Sequence, residues 1–267
     1  VHQEIMNEII LLDGTSWDMT TLLEAMLDDD FYYGYLGSAS LSSSSDKLLN
    51  ASPKEYAKSL RGHQLETSAL AVGKLIHTAV LEPDKVDTLF VTVDVATKST
   101  KAYKEAKQQL KKGQTLLTMS EYNTSMYVVD ALLRNEVVKD MLKGAEFEMP
   151  AIGDVEGLPH RAKADILHRG VAVYDLKTTS EIGGFNYSAR KYGYPAQVYI
   201  YSTLFGIDYK NFKFIVVDKG SKDIGVFSVS EAFYLEGKRL VENAVRVYTD
   251  YFINGEDLDT YIIYGEL

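Results

Sequence analysis

Apolar positions along this chain change period several times, and each change marks an element. Over residues 66–82 they recur at helical spacing until Pro83 ends the pattern. Phe90–Val95 alternates in the manner of a half-buried strand. Residues 98–112 predict a second helix, stopped by Gly113. Ser120–Lys143 predicts a third, with Met126, Val129, Leu132, Leu133, Val137 and Leu142 as its apolar positions. The period then shortens: Glu146–Ile152, Ala162–Leu167 and Val171–Lys177 read as successive strands joined by glycine-containing turns. Tyr194–Phe205 reads as a short helix. Phe212–Asp218 and Gly225–Val229 read as a hairpin through Lys219-Gly220-Ser221, and Ser230–Tyr251 as a closing helix capped by Ser230. The N-terminal part is less regular. Residues 1–35 predict one or two helices, 37–46 a serine-rich loop, Asp46–Asn50 a short helix, and Ser52-Pro53 another helix start. The tail to Leu267 is acidic and tyrosine-rich. Helices first, then three strands, a helix, two strands and a helix predict an α/β core behind a helical N-terminal lobe. The expected division is a lobe over 1–115 and a core over 116–267 of a single domain.

Composition narrows the chemistry. The chain has 267 residues, 46% of them hydrophobic and 25% charged, so it can bury a substantial core. It has no cysteine, which excludes disulfides, thiolate zinc sites, thiol nucleophiles and iron–sulfur clusters. The net charge of −10 argues against wrapping nucleic acid with the whole surface, although a local basic groove remains compatible with it. The longest apolar runs fall far short of a membrane span and no secretory apolar segment opens the chain. The expected location is the cytoplasm of a bacterial or phage-infected cell, with no membrane partner. Gly-x-x-x-x-Gly-Lys-Ser/Thr, Gly-x-Ser-x-Gly and His-Glu-x-x-His are all absent.

The chemistry concentrates between Arg161 and Thr179. Two short apolar runs flank a His-Arg-Gly turn; the first carries Asp165, the second Asp175 and, two residues on, Lys177. Strand side chains alternate faces, so Asp175 and Lys177 emerge together, and a folded-back turn brings Asp165 to them. Two carboxylates, with the backbone carbonyl of Leu176 as a third oxygen, suit magnesium, and Lys177 can hold a water or stabilise developing charge. An isolated Asp-x-Lys is usually a surface ion pair. The run Val171-Ala172-Val173 suggests a strand buried on both faces, where such a pair needs a partner or a task. His77 lies among Leu75, Ile76, Ala79, Val80 and Leu81 and reads, on its own, as a core histidine. Gln197 and Tyr201 share a helix face one turn apart. Lys98, Lys101, Lys104, Lys107 and Lys111, with Lys112 beside them, are either a phosphate-contacting surface or a solvated helix face. Arg190 and Lys191 form a smaller basic pair.

Taken in order, these elements resemble the PD-(D/E)XK nuclease superfamily, and within it the phage and prophage recombination exonucleases of the exonuclease VIII type. The resemblance rests on Gly73-x-x-x-His77-x-x-x-Leu81-Glu82-Pro83, Asp165, Asp175-Leu176-Lys177-Thr178-Thr179 and Gln197-x-x-x-Tyr201. Ser44-Ser45-Asp46-Lys47-Leu48-Leu49 with Ser52-Pro53 joins them, and the match spans roughly residues 38–230. It implies a restriction-endonuclease-like core, a central mixed sheet flanked by helices. It implies that Asp165 and Asp175 are metal ligands, Lys177 the catalytic lysine, His77 part of the metal site and Gln197 with Tyr201 an accessory pair. Glu148, with Glu146 second, is the expected additional carboxylate. Arg161, Arg190, Lys191 and the lysine series are the expected DNA contacts. Ala164 stands where the family name has a proline, which is not a ligand. The resemblance further implies a Mg²⁺ requirement that Mn²⁺ can satisfy, and 5′-to-3′ degradation of one strand of linear duplex DNA. It also implies a 3′ overhang handed to a single-strand annealing protein, and a ring-shaped homo-oligomer. Endonuclease action, or DNA binding without turnover, are the alternatives.

Overall fold

The computed structural model describes residues 8–61 and 67–263. Two small ladders come first in the chain. β1 (Glu8–Ile10) pairs antiparallel with β2 (Ser16–Asp18), and β3 (Phe90–Val93) runs parallel to β4 (Thr115–Thr118). The main sheet has five strands lying side by side in chain order: β5 (Glu146–Val155), β6 (Leu158–His168), β7 (Ala172–Thr179), β8 (Phe212–Asp218) and β9 (Ile224–Ser228). Neighbours are antiparallel except β7 and β8. A parallel pair needs a long crossover, and the helices Phe185–Lys191 and Tyr194–Phe205 supply it. The sheet is therefore mixed and flanked by helices, a restriction-endonuclease-like α/β arrangement.

Local chemistry explains most boundaries. β5 and β6 turn through Glu156 and Gly157, both at positive φ, the geometry of a two-residue turn matched to strand twist. The serine-rich stretch is not a loop. Ser42 and Ser45 cap each other's backbone N–H groups, so Ser43–Ala51 is helical, and Ser52 then caps Pro53–Ser59. The expected helix over Ser120–Lys143 is two helices, Met119–Arg134 and Glu136–Leu142. Asn135 breaks it by leaving helical geometry and accepting from the N–H groups of Val137 and Val138. The lysine-bearing helix shortens to Lys101–Gln108 because Thr100 caps it late. The helix expected from residue 66 is Ser68–Leu81, capped by Thr67; Glu66 itself lies outside the described residues. The same holds for the first seven residues and for 264–267 of the tail. The closing α-helix spans Glu231–Tyr248, with Ser230 accepting from the Phe233 N–H, and relaxes into a π-turn before Tyr251.

The sheet's side chains divide between its two faces, by strict alternation on β7 and β8. Ala162, Leu167, Val173, Phe212, Phe214 and Val216 pack under the helices Tyr194–Phe205 and Glu231–Tyr248. Ile166, Leu176, Ile215 and Val217 pack under Ser68–Leu81 and Met119–Arg134. β4, missed by periodicity, is buried at all four positions and has no polar alternation to reveal it. Val171, expected inside its strand, lies in the turn and is exposed. The N-terminal helix Ser43–Ala51 is tied to β6 by a fully buried pair, Asp46 Oδ2 to His160 Nε2 at 3.2 Å. Burial drives the Asp46 pKa up against the pull of His160.

At Gly237 the closing helix crosses the N-terminus of the Tyr194–Phe205 helix so closely that an added Cβ would overlap the Pro195 carbonyl. Gly237→Ala is expected to lower stability by about 1–3 kcal/mol, read as an earlier midpoint in urea unfolding. An unchanged midpoint would show that these helices can part without cost.

Candidate active site

Three acidic residues fall on three neighbouring strands. Phe147 opposes Ile166 and Met149 opposes Ala164, which places Glu148 beside Asp165. That pair drops out of the ladder because Glu148 takes a left-handed conformation, φ 50°. Such geometry costs an L-residue on the order of 1–2 kcal/mol and persists where the surroundings over-determine it. On the other side of β6, the ladder with β7 ends at Ile166 and Tyr174. Beyond that point the Leu176 N–H donates to Asp165 Oδ2 at 2.8 Å, and the side chain takes the place of a backbone acceptor. Asp175 follows Tyr174 directly, so Glu148, Asp165 and Asp175 cross the sheet in a row.

Helices complete the cluster from two sides. His77 reaches in from Ser68–Leu81, its Nδ1 3.6 Å from Asp165 Oδ2. One turn earlier on that helix, Gly73 faces the Thr178 hydroxyl at the end of β7, with space for a methyl group at ordinary contact distance. His77, Glu148 and Asp165 each offer a ligand atom within 4.8 Å of the others. On β7, Lys177 Nζ lies 2.7 Å from Asp175 Oδ2 and 4.6 Å from the centre of the Tyr194 ring. Gln197 Nε2 donates to Asp175 Oδ1. Tyr201, one turn on, donates its O–H to the Lys163 carbonyl at 2.8 Å. It therefore holds the β6 backbone two residues before Asp165 and does not itself reach the carboxylates by hydrogen bond.

The electrostatics follow from burial and crowding. Burial, then the negative charge of Asp175, raises the Asp165 pKa well above the carboxylate range. Glu148 is raised to about 7 by burial, with Glu82 and Asp29 adding to it and Lys163 opposing. Burial and the positive charge of Lys177 lower His77 to about 4, against Asp175 and the Leu176 backbone. His77 is thus a neutral imidazole at pH 7, the form that ligates metals. Burial opposes charge on Lys177, but Asp175, Tyr194 and Asp165 outweigh it and its pKa rises.

These residues fit a divalent cation. The donors are carboxylate oxygens plus one neutral imidazole, a mainly hard set. Asp175 Oδ2 is buried with the Lys177 ammonium 2.7 Å away, so this carboxylate is held in its charged form at the edge of the donor set.

Other expected site residues lie elsewhere. Glu146 is held at the surface by Arg169 and does not join the carboxylates. Arg161 is buried, donating to the carbonyls of Leu36 and Ser40 at 2.8 Å each, so it braces the N-terminal segment and is not a DNA contact. Lys98 is paired with Glu121 and Arg190 with Glu236. Lys101, Lys104 and Lys107 are exposed on one helix, while Lys98 and Lys111 lie beyond its ends. Lys191 is exposed. Sequence reasoning missed Lys163 and Tyr194. Lys163 stands two residues before Asp165 on one strand, a spacing that could have drawn attention to it.

The family described as a PDDEXK-like domain of unknown function (DUF3799) matches residues 42–257. A proposed exonuclease from Eubacterium rectale has a crystal structure that covers 90% of this chain and 95% of its own, with a TM-score of 0.65 at 16% identity. That likeness shows a shared fold. A second solved chain, SSO0001, covers 73% of this chain and 84% of its own at 15% identity, and its TM-score of 0.29 carries no argument. No curated protein matches the sequence.

Glu148 makes the metal-free protein pH-sensitive. Its folded pKa, about 7, lies above the ordinary 4.5, so its contribution is fully present below 4.5 and is lost as pH rises through 7. Metal-free protein should lose stability over that window, and Glu148→Gln should flatten the slope in urea titrations across pH. An equal slope in the variant would assign the effect to other groups.

Proposed function

The chain belongs to the PDDEXK-like domain family DUF3799, and we propose that it is a magnesium-dependent exodeoxyribonuclease acting on linear duplex DNA. The observation that carries this reading is the cluster of His77, Glu148 and Asp165, with Asp175 and its partner Lys177 on the next strand. Asp165 and Asp175, with the Leu176 carbonyl, His77 and Glu148, would hold the cation. When bound, such an ion offsets phosphate charge and makes water a better nucleophile. Lys177 stays an ammonium beside Asp175, so it acts as a donor that orients the attacking water and stabilises charge on phosphorus, not as a proton acceptor. Gln197 keeps Asp175 in its rotamer, and Tyr201 keeps the β6 backbone in place.

Digestion from 5′ ends, release of a 3′ overhang, delivery to an annealing protein and assembly into a ring are supported by the motif series from Gly73 to Tyr201. The Eubacterium rectale neighbour supports exonuclease action through its description. Among the described residues no helix is long and apolar enough to cross a membrane.

Linear duplex DNA in Mg²⁺, compared with closed circles and with 5′-phosphate and 5′-hydroxyl ends, tests the reading. Linear DNA should be consumed and circles spared. Equal digestion of circles would make the enzyme an endonuclease, and DNA binding without cleavage in Mg²⁺ or Mn²⁺ would remove the catalytic reading. Asp165→Ala, Asp175→Ala and Lys177→Ala should each cut the rate by at least about a hundredfold while the far-ultraviolet dichroism of the fold is retained.

A further inference from the structure

Among the described residues, Lys163 pairs with one carboxylate, that of Asp29. Its side chain is 9% exposed, and its ammonium lies 2.6 Å from Asp29 Oδ1, whose own side chain is 56% exposed. The same ammonium stands 4.5 Å from the centre of the Tyr32 ring and 5.2 Å from that of Tyr33. A buried lysine needs an anion, and this one borrows it from a surface segment that comes from 134 residues earlier in the chain.

Asp29 is free for that contact. It occupies the capping position of the π-turn Asp30–Tyr35, yet its side chain makes no capping hydrogen bond. Asp28 does the local work by accepting from the Phe31 N–H. The next acid, Asp30, reaches Lys112 at 2.7 Å, with both side chains exposed. Two consecutive carboxylates thus sit on two cations, one inside the carboxylate cluster's mouth and one beside the lysine helix. The Asp30–Lys112 pair is exposed at both ends and contributes little, whereas the other pair is buried at Lys163 and exposed at Asp29.

Lys163 is also electrostatically part of the candidate site. It opposes the burial that raises Glu148, and Asp29 acts on the same carboxyl in the other direction. The Tyr33 hydroxyl feels Asp29, Glu148 and Asp165. Asp29 is therefore a negative group held by a lysine that stands two residues before Asp165 on β6.

We propose that Lys163 binds a backbone phosphate of the DNA strand entering the site, and that Asp29 occupies that phosphate's place until DNA displaces it. The inference rests on the nuclease reading above and adds a competing anion to it. Lysine contacts to phosphate position a strand without reading its sequence, so the effect should be uniform across sequences.

The test is the affinity of the full chain for a labelled linear duplex, with Ca²⁺ replacing Mg²⁺ to hold the complex uncleaved. Asp29→Asn should tighten binding about fivefold. Lys163→Met should weaken it, abolish the Asp29→Asn gain in the double variant and reduce the dependence of log affinity on log salt by about one. Lys163→Arg, which keeps the cation, should bind nearly as wild type. If wild type cleaves linear DNA but Asp29→Asn binds no tighter, or binds more weakly with a lower melting temperature, Asp29 is a structural tether and this inference fails alone. If wild type neither binds nor cleaves DNA, both readings fall together.

Discussion

Three carboxylates side by side on adjacent strands are the constraint on which this structure depends. Like charges at this separation raise one another's pKa, and burial adds to the effect. Asp165 shows it most, with burial and then Asp175 pushing its pKa upward. What holds the row together comes from separate elements. The Leu176 N–H donates and the Lys177 ammonium pairs from β7, and Gln197 donates from the crossover helix. His77 comes from a helix on the opposite face of the sheet. The site therefore exists only when both helical layers are docked on the sheet, and its integrity reports on the whole core.

Strain at Glu148 fits the same logic. A left-handed glutamate in a strand would relax if the strand were loosely paired. Here the β5–β6 ladder continues on both sides of the gap, from Glu146–Leu167 to Val155–Leu158. Pairing on either side over-determines the backbone, so one unfavourable residue can be kept. The side chain stays beside Asp165, its neighbour across the two strands. Tyr201 applies a similar restraint from the other direction, since its bond to the Lys163 carbonyl fixes β6 just before Asp165.

Local signals made much of this legible. Alternation and turn glycines located the five strands of the main sheet, and the Asp-x-Lys on β7 follows from period two alone. β4 was invisible because a short strand buried at every position carries no alternation. Residues alone made His77 a core histidine. Its approach to Asp165 is a contact between a helix and a strand far apart in the chain, and only the ordered motif resemblance anticipated it. Arg161 was misread because a charged strand residue looks solvent-facing until its acceptors, the carbonyls of Leu36 and Ser40, are folded against it. The Asp29–Lys163 pair was unreadable for the same reason, since nothing local links the two residues.

The balance of charge around the row explains why its surroundings are arranged as they are. Three carboxylates face Lys177, which is committed to Asp175, and Lys163, which is committed to Asp29. Burial first, and then the neighbouring acids, raise the pKa values of Asp165 and Glu148, while Lys177 opposes the rise at Asp165 and Lys163 opposes it at Glu148. A divalent cation bound here would add the positive charge that the row lacks, and Asp165 and Glu148 would give up their protons to hold it. These charges sit on residues that the fold brings together from distant parts of the chain.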